Sequence, residues 1–271
     1  MSIPKLNAVI QQKIEVAPGL IILRVAPVDW VLPEFKAGQF TVIGLPPESP
    51  RTEYSEEEEI IPEKDKLIIR AYSIASSSRE KQYLEFYIRL VHSGSLTPRV
   101  FALNAGDKIW MSPKITGMFT IEEIPRDQNI VFFATGTGLA PYMSMLRSDL
   151  VCNENRKYAV VHGARNSWDL GYSSELLTIE RLCHNFKYMS IISEPEKEPL
   201  KWTGYEGFVQ DMWLKKILHN FWNIDIKPEN THIFLCGHPN MLTMMIGILE
   251  KENFKEHRKN SPGTIHLEKY W

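Results

Sequence analysis

Residues 129–141 read NIVFFATGTGLAP, an apolar run that ends in two glycines separated by one residue. The run is typical of a fully buried strand, and the residues after it continue with helical spacing. A Gly-rich loop between such a strand and a helix lets the backbone approach a pyrophosphate, to which the helix N-terminus offers free N–H groups. Pro141 suits the first helical turn, where its missing N–H has no partner to lose. We interpret Gly136 and Gly138 as a phosphate loop, with an ordinary Gly-rich turn as the alternative.

The residues after this loop alternate between strand and helix patterns. KYAVVHGAR, FKYMSIIS and HIFLCGHP have strand character, whereas SSELLTIERLCHN, FVQDMWLKKILHNF and NMLTMMIGILEKENF have helical spacing. Such alternation indicates right-handed crossovers and a parallel sheet covered on both faces. We therefore predict an α/β parallel-sheet, nucleotide-binding domain over residues 126–271.

The residues before the loop are organised differently. Short β-type runs such as GQFTVIGLP, KLIIRAYSI and YLEFYIRLV are separated by turn residues, with little helical periodicity. This spacing predicts a small antiparallel β-barrel or sandwich over residues 1–125. Residues 46–66, PPESPRTEYSEEEEIIPEKDK, are rich in proline and carboxylates and are predicted to form a solvated insertion between two strands.

Length and charge limit the class of protein. A chain of 271 residues has room for two domains of ordinary size. Its net charge of -2 gives no global attraction to nucleic acid or to an anionic membrane. The N-terminal residues contain no continuous apolar segment of the secretory type. The 3 cysteines form no C-x-x-C pair, so we expect a reduced, cytoplasmic protein.

Three further segments carry chemistry suited to nucleotides. Arg70–Ser73 ends a strand with an arginine that can donate two hydrogen bonds to a phosphate, a tyrosine whose flat ring can stack, and a serine whose short side chain offers a hydroxyl donor. Residues 91–99, VHSGSLTPR, form a small-residue turn that could cradle an anion, and residues 237–240, GHPN, follow another strand. Each segment alone is also compatible with an ordinary capped turn, but their joint occurrence favours two nucleotides on two domains. Cys236 and His238 lack a second ligand pair, so no metal site is predicted.

The segments RAYSIASSS, VHSGSLTPR, GTGLAPYMSML, VVHGAR with WDLGY, CGHPNM and the terminal EKYW together resemble bacterial ferredoxin (flavodoxin) NADP+ reductases. The resemblance covers nearly the whole chain apart from the acidic insertion. It implies an FAD-binding antiparallel barrel followed by an NADP(H)-binding α/β domain. It also implies an oxidoreductase, a flavoprotein that transfers electrons between NADP(H) and ferredoxin or flavodoxin.

The resemblance assigns a flavin site to the first domain. By similarity, Tyr72 would stack on the isoalloxazine, Ser73 would hydrogen-bond near its N5, and Arg70 would meet the FAD pyrophosphate. Tyr270 and Trp271 match the aromatic C-terminus that covers the flavin in this family. The other residues matching its flavin-binding segments are Ala71, Tyr87, Ile88, Arg89, Ser95, Leu96, Thr97, Pro98 and Thr137.

The resemblance also assigns a nicotinamide nucleotide site. Cys236 would orient hydride transfer together with Tyr72 and Ser73, and these three are the candidate catalytic residues. The residues that match the NADP-binding loops are Gly136, Gly138, Ala164, Arg165, Gly237, His238 and Pro239.

Coenzyme preference depends on the ends of two strands. Arg165 stands where a carboxylate would favour NAD and an arginine accommodates the 2′-phosphate of NADP. Family members often add further arginines around that phosphate, but Glu194 and Phe208 stand at the matching positions of this sequence. We therefore predict a moderate NADPH preference.

Two other functions remain open from the sequence. The first is the NADH-dependent reductase component of an oxygenase, although Cys152, Cys183 and Cys236 do not have the spacing of the fused plant-type cluster that many of those carry. The second is a non-catalytic flavin-binding electron-relay subunit. The expected partners are ferredoxin or flavodoxin, with no nucleic acid and no membrane insertion, and we expect a monomer.

Overall fold

The computed structural model of the protein describes residues 4–58 and 60–269. The chain forms two compact units. One contains residues up to Thr120 together with Ala140–Asp149, and the other contains Ile121–Leu139 and the residues from Leu150 onward. Tyr270 and Trp271, the predicted flavin cover, lie outside the described residues.

The first unit is built on an antiparallel sheet of six strands in the order β4-β3-β6-β1-β2-β5. Alternate residues point inward, so that Ile10, Leu23 and Val25 join one apolar core. The predicted antiparallel β-domain is confirmed. Its strands and short helix are β1 (Ala8–Ala17), β2 (Leu20–Pro27), β3 (Phe40–Leu45), β4 (Ile68–Ser73), β5 (Leu84–Arg89), α1 (Thr97–Ala102) and β6 (Lys108–Met111).

The second unit is built on a parallel sheet of six strands in the order β10-β9-β8-β7-β11-β12. Its central strands β7 and β8 are mostly apolar and are buried along nearly their whole length, as in a parallel sheet that is covered on both faces. The predicted α/β parallel-sheet domain is therefore confirmed. In chain order the elements from here are β7 (Asn129–Thr135), α2 (Ala140–Asp149, grouped with the first unit), β8 (Tyr158–Ala164), α3 (Ser173–Leu182), β9 (Phe186–Ile192), β10 (Tyr205–Glu206), α4 (Val209–Leu214), α5 (Ile217–Trp222), β11 (Thr231–Cys236), α6 (Pro239–Lys251) and β12 (Ile265–Glu268). Within the described ranges, no helix combines the length and hydrophobicity needed to cross a bilayer.

The predicted single helix FVQDMWLKKILHNF is wrong. The structure divides it into α4 and α5, because Lys216 adopts the left-handed conformation at φ 54°. The break lets Trp213 of α4 and Trp222 of α5 both enter the same apolar core. Helical spacing alone cannot show such a break, because each half keeps its own apolar face.

The acidic insertion lies between β3 and β4 as predicted, and its described residues are exposed or partly exposed, but one of its carboxylates also holds it to the rest of the unit. The carboxylate of Glu58 pairs with the buried guanidinium of Arg99 at 2.8 Å. Arg99 also donates to the carbonyl oxygens of Pro47 and Ser95. The hydrogen bond from Arg99 is the main cause that lowers the pKa of the Glu58 carboxyl. This end of the insertion is therefore fixed to the turn at residues 91–99.

The expectation of fully reduced cysteines is also wrong. Cys152 and Cys183 form a disulfide, with their Cα atoms 4.6 Å apart, and the buried Cys236 is not disulfide-bonded to any described residue. The bond joins the segment after α2 to the residue after α3. The two cysteines are 31 positions apart in sequence, and only the β8–α3 crossover brings them together.

Three histidines stack at the β11–β12 edge of the second unit. The Nδ1 atom of His232 lies 2.8 Å from Nε2 of His266, and the rings of His257 and Phe234 stack on His266 at 4.8 Å and 4.3 Å. Burial is the main cause that lowers the pKa of His232 to about 4 and that of His266 to about 3, with neighbouring His257 adding to both shifts and Arg156 to the first. Folded His232 and His266 are therefore neutral at pH 7.

This cluster predicts acid lability. Below pH 6.5 the unfolded chain binds protons that folded His266 does not, so the free energy of unfolding falls as the pH is lowered toward about 3. The loss for one such histidine is at most about 1.4 kcal/mol per pH unit. Denaturant titrations between pH 7 and pH 4 measure the slope. His266→Phe should flatten it, whereas replacement of the exposed His184 should not, and an equal slope in wild type and His266→Phe would contradict the assignment.

Candidate functional site

The predicted flavin motif lies at the end of β4. Arg70 is exposed, and its Nη1 donates to the carbonyl of Ile69 at 2.7 Å. Tyr72 is partly buried with its ring edge-on to Phe86 at 6.3 Å, and burial raises the pKa of its phenol, so the ring is neutral. Ser73 ends the strand and is buried. An exposed guanidinium, a neutral aromatic ring and a hydroxyl thus follow one another along four residues.

The chain after this motif is held by a buried carboxylate. Glu85 on β5 is 1% exposed and accepts from Arg24 and from Arg147, each at 2.7 Å. Arg147 also donates to the carbonyl of Ala75 at 2.8 Å. The backbone of Glu85 donates to Ser76 Oγ at 3.1 Å and accepts from Ala75 N at 2.8 Å. Residues 75 and 76 are therefore held both by the backbone of Glu85 and by Arg147, with which the Glu85 carboxylate pairs.

The remaining predicted flavin residues are divided between core and surface. Tyr87 and Ile88 on β5 are buried, so a contact from Ile88 would come from its backbone, whereas Ala71 is exposed and Arg89 is partly exposed.

The turn before α1 is closed by its own hydrogen bonds. Thr97 Oγ1 accepts from Val91 N at 2.9 Å and donates to Val91 O at 3.2 Å. Leu96 and Pro98 are buried beneath the turn, and Ser95 stays partly exposed at its surface. The exposed Arg70 and the hydroxyl of Ser95 have the chemistry to bind a flavin diphosphate, and the Tyr72 ring has the chemistry to stack on a flavin.

Two glycine loops meet at the carboxyl edge of the parallel sheet. Thr135 Oγ1, before the first loop, accepts from His238 N in the second loop at 2.7 Å. A Cβ on Gly138 would overlap the carbonyl oxygen of Cys236, and a Cβ on Gly237 would overlap Thr135 Oγ1. Both positions therefore need glycine, and the close approach brings the two predicted loops together.

The first loop leaves space at its tip. Gly136 has φ +54°, where glycine is favoured, and a Cβ there would point into open space. Thr137 continues the same single 3₁₀ turn, which leads directly into α2. At the second loop His238 caps α6, its Nδ1 accepting from Asn240 N at 3.2 Å, and Pro239 begins the helix. This edge fits the phosphates of a dinucleotide, which bind where strands deliver such loops.

The ends of β8 and β9 lie side by side at the same edge. Ala164 O accepts from Ser193 N at 3.0 Å, and Arg165 O accepts from Glu194 N at 2.9 Å. The Arg165 side chain is exposed and has no hydrogen bond or ion pair with any residue that the structure describes. Phe208, 59% exposed, precedes α4, and its backbone N–H donates to Asp211. Arg165 is thus available to an anionic ligand.

Cys236 has a partner that the sequence analysis missed. Its side chain is 0% exposed, and its Sγ lies 3.9 Å from Oε2 of Glu268. The two residues are register partners in the parallel β11–β12 pair. Glu268 precedes the terminal aromatic residues in EKYW, but only the strand pairing shows that its carboxylate faces the cysteine.

Comparison with known proteins identifies the family. Residues 59–117 match the oxidoreductase FAD-binding domain, and residues 132–246 match the oxidoreductase NAD-binding domain. A flavodoxin/ferredoxin–NADP reductase of Buchnera aphidicola is 32% identical over 88% of each chain. The chain belongs to the flavodoxin/ferredoxin–NADP reductase family. The predicted family and its two cofactor-binding domains are confirmed.

Other similar proteins agree with this membership. The flavodoxin/ferredoxin–NADP reductase of Escherichia coli is 28% identical over 89% of each chain. A ferredoxin NADP+ reductase from Neisseria gonorrhoeae, solved with bound FAD and NADP, superposes with a TM-score of 0.79 over 97% of each chain at 22% identity. At that identity the structural likeness shows the shared fold.

Proposed function

We propose that this member of the flavodoxin/ferredoxin–NADP reductase family is an FAD-dependent enzyme that transfers electrons between NADP(H) and ferredoxin or flavodoxin. The observation that carries the proposal is the 32% identity to a reductase of that name across both domains. The flavin motif on β4 and the paired glycine loops at the carboxyl edge of the sheet support it.

Bound FAD supplies hydride exchange at N5 and the release of single electrons. Tyr72 presents a neutral ring for stacking, and Ser73 offers a hydroxyl toward the flavin. Arg70 supplies positive charge for the flavin diphosphate. Gly136 allows the backbone to approach the nicotinamide nucleotide, and Gly138 allows the two loops that hold the nucleotide to pack together. The side chains orient the two rings and exclude water, and the hydride step needs no side-chain acid or base.

Reduction of the purified, FAD-loaded protein tests this function. Stopped-flow absorbance should show the flavin bleached by NADPH faster than by NADH, followed by reoxidation on addition of ferredoxin or flavodoxin. Equal or better use of NADH would favour the reductase component of an oxygenase. If neither coenzyme reduced the flavin, an electron-relay subunit would be favoured. The cytoplasmic location and monomeric state are parts of the proposal that fractionation and light scattering test.

Removal of the Arg165 side chain should weaken the binding of NADPH more than that of NADH. Arg165→Ala should raise the KM for NADPH by about tenfold, equivalent to ~1.4 kcal/mol, because one charge-assisted contact to phosphate is lost. The KM for NADH should rise much less, since the contact is remote from the hydride. Steady-state kinetics with both coenzymes measure the two changes. Parallel increases in both KM values would show that Arg165 does not face the 2′-phosphate.

A further inference from the structure

Glu194, which stands where family members often have an arginine, forms an ion pair with a lysine. Its Oε2 lies 2.7 Å from Nζ of Lys197, across the single turn Pro195–Lys197 after β9. The backbone of Glu194 is fixed, because its N–H donates to Arg165 O at 2.9 Å and its carbonyl accepts from Asn166 Nδ2 at 3.1 Å. The backbone of Glu194 is thus held beside Arg165, and the ion pair of Glu194 places the ammonium group of Lys197 on the same turn.

The other charges on this turn are placed unequally. Glu198 accepts from both the backbone N and Oγ of Ser167, each at 2.7 Å, so its carboxylate is held by neutral donors. Glu196 is exposed. The side chain of Lys197 is 60% exposed and that of Glu194 is 29% exposed. Lys197 is therefore the cation of this turn that a ligand can reach.

We propose that Lys197 is the second cation, beside Arg165, that recognises the 2′-phosphate of NADP(H). This inference rests on the proposed function. On binding, the ammonium group of Lys197 changes partner from Glu194 to the phosphate. Solvent-exposed carboxylate–lysine pairs contribute little to stability, whereas a charge-assisted contact to phosphate is stronger, so the exchange is favourable. Without a 2′-phosphate the pair stays closed, and Glu194 stands where it can accept from a ribose hydroxyl.

The competing explanation is that the pair only stabilises its own turn. The chain offers a matched control, because Lys66 makes the same pair with Glu63, also at 2.7 Å and three residues apart. That pair lies in the insertion between β3 and β4. Lys66→Ala therefore removes an equivalent surface pair without touching the ends of β8 and β9.

The test uses two small probes that differ only in the 2′-phosphate. Calorimetry on the FAD-loaded protein gives the affinities for adenosine 2′,5′-bisphosphate and for 5′-AMP. Lys197→Ala should weaken bisphosphate binding by about tenfold relative to 5′-AMP, the factor expected for one charged contact. Glu194→Gln should strengthen it, because the lysine is released from its partner. Lys66→Ala should leave both affinities at the wild-type values.

Kinetics separate this inference from the proposed function. With Lys197→Ala the KM for NADPH should rise relative to that for NADH, with the larger change in KM rather than in kcat. An unchanged ratio of bisphosphate to 5′-AMP affinity in Lys197→Ala would overturn the role of Lys197, and so would weaker bisphosphate binding in Glu194→Gln. Wild-type protein whose flavin neither coenzyme reduces would instead refute the proposed function itself.

Discussion

Glu85→Ala should destabilise the first unit by about 3 kcal/mol, because it leaves two arginines facing a site without their carboxylate. This is the lower end of the range for a broken buried pair, since the side chains of Arg24 and Arg147 are 32% and 20% exposed and water compensates them in part. Arg147, which also donates to the carbonyl of Ala75 after the flavin motif, loses its ion-pair partner at the same time. Denaturant unfolding followed by flavin fluorescence measures both the lost stability and the earlier release of FAD.

The control for this variant is an exposed pair in the same unit. Glu34 and Lys81 lie 2.9 Å apart with side chains 91% and 46% exposed, so Glu34→Ala should cost less than about 1 kcal/mol. Glu85→Gln keeps the size of the side chain and one acceptor oxygen. Its loss of stability should therefore fall between those of Glu34→Ala and Glu85→Ala. Equal stability of the Glu34→Ala and Glu85→Ala proteins would mean that the buried carboxylate does not hold this region.

The sequence predicted those parts of the fold that local pattern determines. The apolar runs of β7, β8, β9 and β11 are long enough to be interpreted without tertiary information, because a central parallel strand is apolar on both faces. The short strands β10 and β12 were missed, since two and four residues carry too little periodicity. They become strands only because β9 and β11 offer them an edge.

The same distinction holds for the candidate site. The glycine loops could be predicted because Gly-x-Gly directly after a strand indicates a tight loop from the local sequence alone. Residues whose role depends on a distant partner could not. Glu268 gains its position from register with Cys236, Glu58 from Arg99, and Cys152 from a disulfide partner beyond a whole crossover. The sequence shows which residues are acidic, but it does not show which cations pair with them in the fold.

Gly138→Ala should nearly abolish use of the nicotinamide nucleotide while FAD stays bound. The added Cβ would overlap the backbone carbonyl of Cys236 and approach the N of Gly237, and neither atom belongs to a flexible side chain that can move aside. The two loops must therefore separate. A displacement of about 1 Å at a site that orients reacting groups costs on the order of a hundredfold in rate. Stopped-flow reduction by NADPH measures this loss, and the flavin absorbance confirms that the cofactor is retained.

Gly247 on α6 provides the matched control. A Cβ at Gly247 meets nothing within 4 Å, and the residue lies inside a helix, where alanine is favoured over glycine by about 1 kcal/mol. Gly247→Ala should therefore be at least as stable as the wild type and reduce its flavin at the wild-type rate. If Gly138→Ala also kept the wild-type rate and NADPH affinity, the contact between the two loops would not govern the nucleotide site. The phosphates would then have to be held elsewhere along the carboxyl edge of the sheet.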